Sequence, residues 1–199
     1  MCSGKTTVAN HLFEKYRYNI ISLASPIKVM ESELADGVAP ITITRKHMGH
    51  LDPMQQAMFC KILEEAEQIP REHPKPRKRL QFIGTEGGRN RISDSLWIDL
   101  ANRKAEEMGN AIIDDVRFIN EFTYFRARGW KAIVLEVAPE VQIARVGKLY
   151  GDFDPAILTH PSETGVADVI ALKDADLFID TNNDIQDTLK KIDEVIETW

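Results

Sequence analysis

Only two cysteines, Cys2 and Cys60, occur in the 199 residues, and they stand far apart. They build neither a disulfide framework nor a Cys/His metal-ligand spacing, and their scarcity fits a reducing compartment. Long apolar runs are missing as well. Nothing approaches the roughly 20 residues needed to cross a bilayer, and the N-terminus carries neither the basic nor the apolar stretch of a signal peptide. A cytoplasmic protein without a membrane partner is expected. An excess of positive charge is the third absence. Lys and Arg number 25 against 31 Asp and Glu, a formal net charge of −6. Holding a nucleic-acid backbone takes a broad basic face, so stable nucleic-acid binding is not expected. The one basic run, Arg77-Lys78-Arg79, reads as a solvated helix face. Internal repeats are also lacking.

What is present suits one domain with an inserted substrate region. Hydrophobic residues make up 43%, enough for a substantial core without covalent cross-links. The patterning predicts helices over residues 3–16, from 25, from 53, over 77–85, from 93, over 120–128, 139–146 and 185–199. Strands are expected over 19–24, 111–115, 131–137 and 175–180. Residues 36–52 read as an irregular connection and 147–166 as a mobile excursion. Alternating strands and helices predict an α/β fold, with a mainly parallel sheet covered by helices on both faces. Ligands of such sheets bind beyond the carboxyl ends of the strands.

Four groups of residues there have chemistry to offer. Ser3-Gly4-Lys5-Thr6-Thr7 is the second half of a phosphate-binding loop, G-x-x-x-x-G-K-[ST]. Gly4 permits the tight wrap that aims backbone N–H groups at phosphate oxygens. Lys5 would clamp the β- and γ-phosphates, and the Thr6 hydroxyl would ligate Mg²⁺. The apolar strand running into Asp114-Asp115 supplies a magnesium-side carboxylate, with Arg117 beyond it; an aspartate capping the next helix is the plain alternative. Leu80 to Arg89 reads as a Gly-rich turn closing on Arg89 and Arg91, whose guanidinium forks suit phosphate. Finally, an excursion carrying Arg145 and Lys148, with His160 and Glu163 as a latch, could exclude water from a transferring phosphoryl group. Trp97 reads first as a core residue, and His160 first as a surface histidine.

Together these segments resemble the phage-type deoxynucleoside monophosphate kinases of the P-loop nucleoside monophosphate kinase superfamily. The matching stretches are SGKTTVA at 3–9, SLASPIK at 22–28, LQFIGTEGGR at 80–89, SLWID at 95–99, IIDDVRFINE at 112–121 and HPSETGVAD at 160–168. The resemblance implies a five-stranded parallel sheet, an acceptor-binding helical region near 36–92 and a lid near 145–166. It implies ATP and Mg²⁺ as cofactors and deoxynucleoside monophosphates as acceptors, in the host cytoplasm if the protein is phage-encoded. Carried over, Ser3, Gly4, Lys5, Thr6 and Thr7 bind ATP, and Thr6 and Asp115 serve the metal. Arg89 and Arg117 bind the acceptor, with Glu86 and Trp97 beside them. Lys5, Arg117 and Arg145 act on the transferring group. A homodimer is compatible with this. In the family a strand and a first glycine precede the equivalent of Ser3. Here that glycine would lie upstream of Met1, so a shortened N-terminus, with instability or weak ATP binding, is expected. Competing readings are a phosphomevalonate kinase, whose acceptor has no base, a nucleotide-binding fragment without catalysis, and a polynucleotide end kinase, which the acidic charge disfavours.

Overall fold

The computed structural model describes residues 2–72, 75–150 and 161–199, the last stretch with side chains from residue 164. In chain order the elements are α1 (Lys5–Tyr16), β1 (Asn19–Ile21), α2 (Ser25–Ala35), α3 (Pro40–Met48), α4 (Pro53–Glu67), α5 (Arg77–Gln81), a π-helix (Phe82–Ile92), α6 (Leu96–Met108), β2 (Ala111–Ile113), α7 (Ile119–Arg126), β3 (Ile133–Glu136), α8 (Pro139–Tyr150), α9 (Pro161–Ala171), β4 (Leu177–Asp180) and α10 (Ile185–Ile196). This is an α/β fold with small sheets flanked by helices. The described strands form two pairs, β1 with β2 and β3 with β4, rather than one five-stranded sheet. Among the described residues no helix is long and apolar enough to cross a membrane. The chain divides into two compact units. One combines Met1–Ile20 with Met108–Trp199; the other is Ile21–Glu107.

The first unit is built on the β3–β4 pair, which is parallel, with Ile133 opposite Leu177 and Leu135 opposite Ile179. Side chains alternate across a strand, so these four share one face. That face packs with Val8 and Leu12 of α1 and Leu189, Ile192 and Ile196 of α10. The i, i+3, i+7 spacing in α10 gives one apolar stripe, as an amphipathic helix requires. Asn19 ties the two stretches of this unit together. Its backbone N–H donates to the Asn110 carbonyl at 2.9 Å, and its side-chain amide donates to the carbonyls of Met108 and Asn110, both at 3.2 Å.

An ionic cluster also fastens α10 to α1. Asp193 bonds His11 Nε2 at 2.7 Å and the Tyr16 hydroxyl at 3.0 Å, and pairs with Lys15 Nζ at 2.9 Å. Burial pushes the Asp193 carboxyl up, but Lys15, His11 and Tyr16 together outweigh it and hold the group at about 2. A carboxyl depressed in the folded state stabilises above its unfolded pKa, and that contribution is lost as pH falls through the folded value. The stability difference between the native chain and Asp193→Asn should therefore be about 2 kcal/mol larger at pH 6 than at pH 2. Urea unfolding of both proteins at the two pH values measures it. An unchanged difference would remove the cluster's part in stability.

The second unit is helical. α4 starts with a capping box. The Gln55 N–H donates to Asp52 Oδ1 at 2.9 Å, and the Gln55 side chain accepts from the Asp52 N–H at 3.4 Å, with Pro53 in the first turn. The expected irregular connection over 36–52 is corrected. It holds α3, opened by Pro40, with Ile43, Thr44 and Met48 fully buried. Glu31 of α2 is a buried carboxylate, 3% exposed. Arg71 grips it with Nε at 3.0 Å and Nη2 at 3.4 Å, and Arg79 Nη1 stands 3.8 Å away. Arg79 also donates to the carbonyls of Ile69 and Glu67, at 2.7 and 3.1 Å.

Candidate functional site

The residues singled out from the sequence fall into both units. In the first unit, Gly4 is the residue before α1 and adopts φ 88°, ψ 4°, the left-handed region. Glycine enters that region without the penalty a Cβ brings, and the chain can turn sharply from Ser3 into the helix. No side chain caps this end of α1. The first-turn N–H groups of a helix have no intrahelical partners, and the positive end of a helix dipole favours an anion. Lys5 folds back over the turn, Nζ donating to the buried Ser3 Oγ at 3.2 Å. Thr6 and Thr7 are exposed on the first turn.

Arg145 is brought to the same turn from α8. Its Nη1 donates to the Cys2 carbonyl at 3.4 Å and its Nη2 to the Thr181 carbonyl at 2.7 Å. The expected excursion over 147–166 is corrected in extent, since α8 runs to Tyr150 and α9 begins at Pro161. Arg145 and Lys148 thus sit on a helix. His160 lies outside the described residues, as does the Glu163 side chain. The sequence reading missed Thr181. Both its N–H and its hydroxyl donate to the Glu136 carbonyl at 2.8 Å. The loop after β4 is thereby fixed against the end of β3, and its carbonyl presents an acceptor to Arg145. The polar run Asp180-Thr181-Asn182 at a strand's carboxyl end was the available signal. Asn182 adds a bond from the Ala138 N–H to its Oδ1 at 2.7 Å.

Asp115 and Arg117 follow β2, both partly buried. Glu121, which the sequence reading left without a role, is 3% exposed. Its Oε2 accepts from the N–H groups of Arg117 at 2.7 Å and Phe118 at 3.0 Å.

In the second unit, the expected Gly-rich turn is a π-helix, with i→i+5 bonding that continues to its end, where the Ser93 N–H donates to the Gly88 carbonyl at 3.1 Å. The glycines are there for close approach. A Cβ on Gly87 would run into Ile62, and one on Gly88 into the Trp97 ring and, at 2.9 Å, the Ile83 carbonyl. Trp97 is buried, and its indole N–H donates to the Gly84 carbonyl at 2.8 Å. Trp97 therefore shapes the helix that carries Arg89 and gives no open stacking face. Arg89 Nη1 donates to the Asp94 carbonyl at 3.2 Å. Arg91 is held by Glu65 of α4, with bonds of 2.6 and 3.0 Å; that carboxylate raises the Arg91 pKa. Glu86 is exposed on the same π-helix.

No protein-family model matches the chain, and no curated protein matches it closely enough to count as a relative.

Proposed function

We propose that this chain transfers the γ-phosphoryl group of ATP to a deoxynucleoside monophosphate. The observation that carries the reading is the turn at Gly4. A left-handed glycine feeds an uncapped helix N-terminus, and Lys5 and Arg145 are both held at that turn. Backbone amides, a helix dipole and two cations suit a polyphosphate. In this reading Ser3, Gly4, Lys5, Thr6 and Thr7 hold the ATP phosphates and Arg145 offsets charge on the transferring group. Arg89 and Arg117 bind the acceptor phosphate. Among the described residues no cluster of three or more His, Cys, Asp or Glu is placed to hold a metal. Magnesium carried by nucleotide phosphates needs only one or two protein oxygens, and Thr6 and Asp115 are assigned to supply them. When bound, the ion would neutralise phosphate charge.

A coupled assay of ADP release, run over the deoxynucleoside monophosphates and phosphomevalonate, tests the proposal. Release stimulated by at least one of the nucleotides supports it. Stimulation by phosphomevalonate alone would replace the acceptor, and ATP binding without turnover would make the chain a nucleotide-binding protein. On the proposed reading, Arg89→Ala and Arg117→Ala each lose charge-assisted hydrogen bonds to phosphate worth on the order of 1.5–3 kcal/mol. Each should raise the acceptor KM roughly 10- to 100-fold and leave ATP binding largely intact. Loss of ATP binding in either variant would move that arginine to the donor side.

A further inference from the structure

Arg117 stands in a short turn between β2 and α7, and two features of the first unit converge on the backbone of that turn. The first is Glu121. A carboxylate with only 3% exposure is costly to bury unless it is bonded. Its Oε2 takes the N–H groups of both Arg117 and Phe118, at 2.7 and 3.0 Å. The second is Gly165, in the interior of α9. Helix propensity favours alanine there, yet a Cβ on Gly165 would stand 2.8 Å from the Arg117 carbonyl oxygen and 3.3 Å from Phe118 Cδ1. The absent side chain lets α9 lie directly on the peptide of Arg117. One residue's amide is thus held by α7 and its carbonyl is packed against α9.

We infer that Glu121 and Gly165 are positioning residues for Arg117, fixing its backbone so that its guanidinium meets a phosphate group in one orientation. A guanidinium fork gains its selectivity for phosphate from two parallel bonds, and an error of about 1 Å in placement costs much of that advantage. Glu121 contributes no contact to the ligand in this scheme, and Gly165 contributes space. That Arg117 binds a substrate phosphate rests on the proposed function; the clamp on its backbone does not.

The two are separated by nuclear magnetic resonance on the full chain. Amide hydrogen exchange at Arg117 and Phe118 reads the clamp. Titration with inorganic phosphate, followed at the Arg117 Nε–H signal, reads the side chain. Expected for Glu121→Ala is at least tenfold faster exchange at both amides and at least tenfold weaker phosphate binding. Glu121→Gln, whose side-chain oxygen can still accept both bonds, should recover most of each. Gly165→Ala should weaken phosphate binding at least threefold with the amides of α7 beyond Glu121 still protected. If Glu121→Ala fails to fold, Gly165→Ala carries the test, with Glu121→Gln as the control expected to stay near native; phosphate affinity unchanged in Gly165→Ala overturns the inference. Unchanged affinity or exchange in a folded Glu121→Ala overturns it as well. If the native Arg117 signal ignores phosphate while Glu121→Ala still loses amide protection, the clamp stands and the assignment of Arg117 to phosphate falls.

Discussion

Lys5→Met should lower kcat about 10²–10³-fold, the loss typical of removing one preorganised group that meets developing charge. The acceptor KM should stay within about threefold of its native value, because a charge that acts mainly in the transition state adds little to ground-state binding. Lys5 is well placed for so specific a loss. Its Nζ rests on Ser3 Oγ, and α1 is anchored independently by Val8, Ala9 and Leu12. Methionine keeps most of the stem and removes the ammonium. Steady-state kinetics on the folded variant, with thermal unfolding alongside, decides the matter. A kcat near that of the native chain would end the assignment of residues 3–7 as a phosphate loop.

The largest expected effect on stability belongs to Glu31→Gln. The amide keeps the shape of the side chain and loses the charge that Arg71 and Arg79 share. Breaking a buried pair from one side costs about 3–5 kcal/mol, since the remaining charge is stranded. The lower end, about 3 kcal/mol, is expected here. Arg71 reaches solvent with 38% of its side chain exposed, whereas Arg79 has only 11%. Glu33 provides the comparison. It pairs with Lys46, which is well exposed, and with His47. Lys46 and then His47 hold its carboxyl below the usual range, yet Glu33→Gln should cost less than about 1 kcal/mol. Urea unfolding of both variants measures the contrast. A Glu31→Gln protein no weaker than Glu33→Gln would show that the buried carboxylate is not needed in its charged form.

Helix starts were the most legible part of this chain, because their signals are local. Pro26, Pro53 and Pro139 each stand in a first helical turn or open it, as read from the sequence. The strand segments were located correctly but drawn too long. Residues 19–24 contain a strand only as far as Ile21, before Ser25-Pro26 begins a helix. Residues 36–52 misled because Gly, Pro and Thr suggest a loop by composition. Pro40 instead opens α3, whose Ile43 and Met48 find a core. The π-helix was illegible for a different reason. Three glycines in five residues read as a turn wherever backbone freedom is the only consideration. Their use here is steric and depends on Ile27 and Ile62, distant in sequence, and on Trp97 in the next helix. At the candidate site the same division holds. Gly4 and Lys5 stood out as a local pattern, and Glu121 bonds N–H groups only three and four residues before it, whereas Thr181 matters through a bond to Glu136, 45 residues away.

The division of the first unit between the two ends of the chain sets an order on its synthesis. Residues 1–20 leave the ribosome before residues 21–107, and the rest of their unit lies beyond residue 107. Domains tend to fold as units during translation, so residues 21–107 can pack while α1 is still waiting. Throughout that interval Val8 and Leu12 have neither β3, β4 nor α10 to cover them. The Asn19 bonds to Met108 and Asn110 are then among the earliest that can bring the separated stretches together. Closing so long a loop adds little further entropic cost, since that cost grows only with the logarithm of length. The hazard of this arrangement is therefore one of timing: a nascent chain that stalls before residue 108 leaves the apolar face of α1 open to chaperones, or to other chains.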